Sequence, residues 1–190
     1  YKGNIQLPPC TDWIIRWNSN ARNAAITNLL NPGVSFYIQN TLNNVIGINN
    51  NSPQFTENPI PYLCVGQLKI FNHGASDVDG DSLYYSLSTT LTTPGPPGVQ
   101  MTFDPNYSLL NPVITATGMN LNQQTGEMCF TPTQVQYSIV SILIEEFRNN
   151  ILIGSQIREM QVIVSGTCNP NNSPSAGGVP ATCGGLAANV

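Results

Sequence analysis

Asp77, Asp79 and Asp81 stand at alternate positions in the stretch Ala-Ser-Asp-Val-Asp-Gly-Asp-Ser-Leu, the part of this chain best equipped for chemistry. Alternating carboxylates in a flexible turn converge on one cation, and calcium takes about six to eight oxygen ligands. The mutual repulsion of the three groups must be offset by hydrogen bonds, solvent or an ion. A second reading uses the same residues without a metal: they accept backbone hydrogen bonds and shape a solvated turn that Gly80 allows to close. An EF-hand is excluded, because that loop needs glycine sixth and glutamate twelfth, whereas Gly80 is fourth and Ser88 twelfth. Glu145 or Glu146 on a neighbouring strand is placed to complete a calcium set, and Glu145 is taken as the ligand with the three aspartates.

Other reactive types point away from catalysis. His73, just before the turn, has no Gly-x-Ser-x-Gly elbow, His-Glu-x-x-His helix or glycine-rich phosphate loop to work with, so it is expected to donate to a backbone carbonyl at a strand end. Glu145 and Glu146 are adjacent on a strand, point to opposite faces, and cannot flank one glycosidic bond. Trp13, Trp17, Tyr84 and Tyr85 are expected in the core, with sugar stacking as the competing use. Five cysteines without a Cys-x-x-Cys pair, and one histidine, argue against zinc and for disulfides in an exported protein. The odd count leaves one thiol over, and Cys10 is expected to look upstream.

Charged residues are only 8% of 190 while hydrophobic ones reach 41%, the rest being largely Asn, Ser, Thr, Gln, Gly and Pro. That balance favours short strands and turns over helices, whose outer faces need Glu, Lys and Arg. Six basic residues and a net charge of -4 cannot supply the footprint nucleic acid requires. No apolar run approaches a bilayer span, and the first residues have no basic start or hydrophobic signal segment, so the chain is expected to begin mid-protein or after processing.

The elements that must position these residues follow from periodicity. Trp13 to Trp17 and 34–38 read as strands, 23–30 as one short helical turn ended by Asn31-Pro32-Gly33. Further strands are expected at 55, 60–65, 67–71, 82–88, 99–103, 113–115, 127–130, 137–144 and 151–164. Residues 137–144 are apolar on both faces, as in a covered central strand, and Arg158 and Glu159 are expected on the exposed side of the last. A polar run at 49–53, Asn-Asn-Asn-Ser-Pro, reads as a linker; Asn171-Asn172-Ser173-Pro174 repeats four of its residues, which suggests a tandem array. Three pieces follow: 1–48, the last strands of a preceding unit; 49–168, a complete all-β unit with the strand and turn spacing of a β-sandwich; and 169–190, a linker or the start of the next unit. Cys168 and Cys183 enclose a loop worth about 3 kcal/mol that would staple that start.

Asn-Asn-Ser-Pro, then Asp77-Val78-Asp79-Gly80-Asp81-Ser82-Leu83-Tyr84-Tyr85, then Thr125-Gly126 and Thr131-Pro132, resembles cadherin-like repeats of bacterial surface proteins. With Leu7-Pro8-Pro9-Cys10, Asp12-Trp13, Arg22-Asn23 and Glu145-Glu146-Phe147-Arg148-Asn149, the pattern is similar to repeats of the large adhesins and gliding-associated proteins that Bacteroidota export by type 9 secretion. The resemblance covers most of 1–168. It implies an immunoglobulin/cadherin-like β-sandwich, an extracellular, cell-surface location and a role as spacer or adhesive module. It also implies a Cys64–Cys129 disulfide, worth about 4 kcal/mol by chain entropy. Strict cadherin repeats carry further acidic motifs for calcium between domains, and only the Asp-x-Asp-Gly-Asp turn is matched here. Asp81-Ser82-Leu83 resembles the acceptor for O-linked glycans in such exported proteins, which would make Ser82 a glycosylation site.

The expected function is therefore non-enzymatic and mechanical or adhesive, with neighbouring repeats of the same chain as partners and surface glycans or other cell-surface proteins contacted through loops 89–98 and 106–118. The alternative is a carbohydrate-binding module of a secreted enzyme, with Trp13, Tyr84 or Tyr107 stacking on sugar.

Overall fold

Leu83, Tyr85 and Leu87 alternate with serines and Tyr84, and this period of two forms a strand in the computed structural model, which describes residues 4–20, 22–59, 62–166 and 168. Thirteen strands occur and no helix among the described residues. In chain order they are β1 (Trp13–Ser19), β2 (Phe36–Leu42), β3 (Gln54–Phe55), β4 (Tyr62–Cys64), β5 (Lys69–Asn72), β6 (Ala75–Ser76), β7 (Ser82–Ser88), β8 (Leu91–Thr92), β9 (Val99–Gln100), β10 (Asn120–Leu121), β11 (Glu127–Phe130), β12 (Gln136–Arg148) and β13 (Ile151–Ser165). The protein is all-β. Its largest sheet runs β7-β12-β13-β2-β8-β9, with β1 antiparallel to β2 and β4 parallel to the end of β13. A second sheet runs β10-β11-β5, and β3 pairs with β6.

The main core joins the first two sheets. Met128 and Phe130 of β11 meet Tyr85, Val140, Ile142, Ile144, Met160, Val162 and Val164 of the large sheet, each apolar side chain contributing about 1.5–3 kcal/mol by leaving water. The other face of β12 carries Ile139, which packs in a separate cluster with Ile26 and Leu29. The two-sided apolarity of β12 thus has a plain cause: residues near the N-terminus cover its outer face.

That cover changes how the first 48 residues relate to the rest. Antiparallel pairing of Leu42, Thr41 and Asn40 with Gly154, Ser155 and Gln156 places β1 and β2 in the same sheet as β12 and β13. Asn28 secures the junction, donating to the carbonyls of Pro112 and Ile139 and accepting from the Ile139 N–H. The helical turn expected at 23–30 is a single hydrogen-bonded turn, Ile26 N–H to Asn23 O, because Thr27 N–H is drawn instead to Tyr137 O. Residues 113–115 contribute one bridge, Thr115 to Pro132, rather than a strand.

Glu159 is not on an exposed side. Its carboxylate is buried against Arg22, whose guanidinium is itself held by the Ser35 and Leu91 carbonyls. Trp17 is not in the core either: it is 57% exposed on the edge strand β1, its ring edge-on to Phe36, while Tyr85 is buried.

Candidate metal centre

Gly80, at φ +81°, closes the turn that presents Asp77, Asp79 and Asp81 between β6 and β7. One carboxylate oxygen from each lies within 4.8 Å of the other two, so the cluster has the dimensions of a metal site. The hydrogen-bonding role is present as well. Asp77 Oδ1 accepts the N–H groups of Asp79 at 2.9 Å and Asp81 at 3.0 Å, shaping the turn.

Of the two glutamates on β12, it is Glu146 whose carboxyl interacts with Asp77 and Asp81. In an extended strand the two side chains face opposite ways, and a β-bulge at Glu146/Phe147 lies where Glu146 opposes Gly154. A β-carbon at Gly154 would stand 2.8 Å from Glu146 Oε2, so the missing side chain is what admits the carboxylate. Glu146 is 2% exposed. Burial first, then the charge of Asp77, a hydrogen bond shared with the Asp77 carboxyl and the charge of Asp81, raise its pKa to about 7, partly opposed by a hydrogen bond from Asn50.

Arg148 lies at the same corner. Its Nε and Nη2 donate to the two oxygens of Asp81 at 2.8 and 2.6 Å, Nη2 also to Asn50 Oδ1, and Nη1 to the Ile48 carbonyl. Asp79 accepts the Asn51 N–H at 2.6 Å and the Asn51 side-chain amide, bonds that hold its carboxyl below the usual range. The polar run at 49–53 is therefore clamped onto the acidic corner through Asn50 and Asn51. Two atoms are left over: Asp77 Oδ2 and Glu146 Oε1 are both buried and have no hydrogen-bond partner. The two carboxyl groups also meet each other directly, so a proton shared between them satisfies the pair when Glu146 is protonated, and a cation fits the same place when it is not. The aspartates are legible from their spacing and Glu146 is a candidate beside Glu145, whereas the roles of Arg148, Asn50 and Asn51 are not legible, because register, not spacing, brings them there.

The cysteines pair differently from expectation. Cys64 is bonded to Cys168, not Cys129, because β4 runs parallel to β13 with Cys64 opposite Ser165, three residues before Cys168. Cys168 is thereby not available to Cys183, which lies outside the described residues, as do the expected linker at 169–190 and its repeated Asn-Asn-Ser-Pro. Cys129 is itself a disulfide cysteine. Cys10 is a free thiol beside Asp12. Ser82 is exposed at the start of β7. Loops 89–98 and 106–118 are only partly open, since Thr90, Leu91 and Val113 are buried.

His73 does not donate to a carbonyl: both ring nitrogens are buried without partners, and the ring meets Phe71 edge-on at 4.9 Å. Burial first, then the Arg158 charge, lowers its pKa to about 4. A histidine held neutral in the fold but free to protonate when unfolded destabilises the fold as pH falls from 6.5 through 4, by about 3 kcal/mol. The stability difference between the wild type and His73→Phe, from urea unfolding at pH 7 and pH 4, is expected to shift by about that amount in favour of the variant at pH 4. A difference independent of pH would contradict the buried neutral imidazole.

No protein-family model, no curated protein and no solved structure matches this chain. Among the described residues no helix is long and apolar enough to cross a membrane.

Proposed function

We propose that this chain is a structural and adhesive module of an exported cell-surface protein, built as an immunoglobulin/cadherin-like sandwich. In this reading its acidic corner takes calcium to stiffen the connector at 49–53. The observation that carries the metal part is the pair of donorless buried oxygens, Asp77 Oδ2 and Glu146 Oε1, beside the triad that clamps Asn51. The common core of two sheets supports the sandwich, and the Cys64–Cys168 bridge supports an oxidising, extracellular setting. Asp77, Asp79, Asp81 and Glu146 would hold the ion, which supplies charge neutralisation and no reaction. Type 9 export, gliding, partners among neighbouring repeats and a glycan on Ser82 rest on the sequence resemblance. A glycan-binding module is the alternative, and the open Trp17 ring favours it; saccharide binding lost in Trp17→Ala would select that reading.

Calcium titration during thermal unfolding tests the proposal. Saturation at a hundred times Kd is expected to stabilise by about 2.7 kcal/mol, and an unchanged midpoint removes the metal. Without calcium, Glu146 makes stability fall as pH rises from 4.5 through 7, by about 3 kcal/mol, because the folded state holds the proton more tightly. Glu146→Gln is therefore expected to be the more stable protein at pH 8 in chelator and to lose the response to calcium. A variant weaker than wild type in chelator at that pH would count against this account.

A further inference from the structure

The arginine at this corner has used up its reach. Four donations from Nε, Nη1 and Nη2 go to Asp81, Asn50 and Ile48, and the guanidinium lies 3.8 Å from Asp79. None of these contacts extends to Asp77 Oδ2 or Glu146 Oε1, which stay buried and without donors. The corner therefore has two parts: Asp81, neutralised by Arg148 from within the chain, and the Asp77–Glu146 pair, which a proton on Glu146 satisfies at low pH and a further cation satisfies once that proton is lost. Three carboxyl groups, Asp79, Asp81 and Glu146, act on one guanidinium, so the positive charge holds the turn together without an ion and repels an ion that arrives.

We infer that Arg148 is the built-in counter-ion of this site: it keeps the connector clamped when calcium is absent and holds calcium affinity down by competing for Asp81 and Asp79. The inference rests on the calcium reading above and adds what sets the working range. With the arginine in place the site is suited to the high calcium of an extracellular medium, where modules bind at about 10⁻⁴–10⁻³ M. Asp81 is the shared group. Its two oxygens are given to Arg148 in the metal-free state and are partly released when a divalent ion enters, loosening the arginine's hold on Asn50 and Ile48 as the ion takes over the clamp.

Removing the charge separates this role from a structural one. In Arg148→Gln, calcium dissociation measured by titration calorimetry is expected to tighten about tenfold, while the unfolding midpoint in chelator falls and the rise on adding calcium grows. Arg148→Lys, which keeps the charge, is expected to bind calcium about as weakly as the wild type. Arg148→Gln binding no tighter than wild type overturns the inference and leaves the calcium reading intact. Absence of heat and of a midpoint shift in wild type and Arg148→Gln alike overturns both. Should Arg148→Gln not fold, the wild type decides: the Arg148 Nε–H resonance is expected to move during a calcium titration, and a resonance unmoved at saturation overturns the inference.

Discussion

Replacing Cys64 and Cys168 together by serine is expected to lower the unfolding free energy by about 4.7 kcal/mol, the chain entropy of a loop of about 100 residues. The bridge spans 104 residues and is anchored in short elements, for β4 has three residues and is held to β13 only through Ile163, Val164 and Ser165. For a domain of this size the loss corresponds to a fall in Tm of roughly 10–19 °C, to be read by calorimetry in non-reducing buffer. The bridge also has a mechanical consequence. It encloses β5 to β13, so tension applied to the two ends cannot extend them while it is intact. In single-molecule pulling, reduction is expected to add roughly 350 Å of contour length, at about 3.4 Å per residue. A Tm shift of a degree or two, or no gain in length on reduction, would show that the crosslink does not carry the load.

Alternation of side-chain type made much of the strand content readable. The segments 82–88 and 127–130 have the bounds expected of them, and β12 and β13 differ from expectation only at their ends. Alternation reports which face a residue occupies, not which strand lies beside it. The partner of Cys64 depended on β4 joining β13 in parallel, a long-range pairing that neither cysteine spacing nor the resemblance specified. The choice between Glu145 and Glu146 depended on a bulge and on Gly154 across the ladder. The place of the first 48 residues was written in the apolar outer face of β12, which needs a cover, yet Ile139 alone does not name Ile26 and Leu29 as its source. At the acidic corner Asp77, Asp79 and Asp81 announced themselves because they are local. Asn51 sits 28 residues from its partner Asp79, and Arg148 67 from Asp81, so both pairings came from the fold.

Arg22→Met is expected to cost about 3–5 kcal/mol at pH 7.5, because it strands a carboxylate that has left water. Arg22 and Glu159 pair through two N–H to oxygen contacts of 2.9 Å, with side chains 2% and 3% exposed. The same guanidinium donates to the carbonyls of Ser35 at 2.8 Å and Leu91 at 2.7 Å, and lies over the Phe36 ring. One side chain thus ties the segment before β2 to β8 and β13. Burial raises the Glu159 pKa even with Arg22 opposing it, so without the arginine the carboxyl holds its proton still more tightly. The sign of the pH effect follows: a folded-state pKa above the unfolded one makes the loss greatest at high pH and relieves it as pH falls and Glu159 protonates. Arg22→Met with Glu159→Leu, which replaces both charges by apolar groups, is expected to recover most of the stability at pH 7.5. Hydrogen exchange locates the damage, with amides of β1 and β2 exposed first in Arg22→Met while those of β11 keep their protection. A loss that does not change with pH, or that the double replacement leaves uncorrected, would mean that packing around Arg22 rather than the stranded charge holds the N-terminal strands in the sheet.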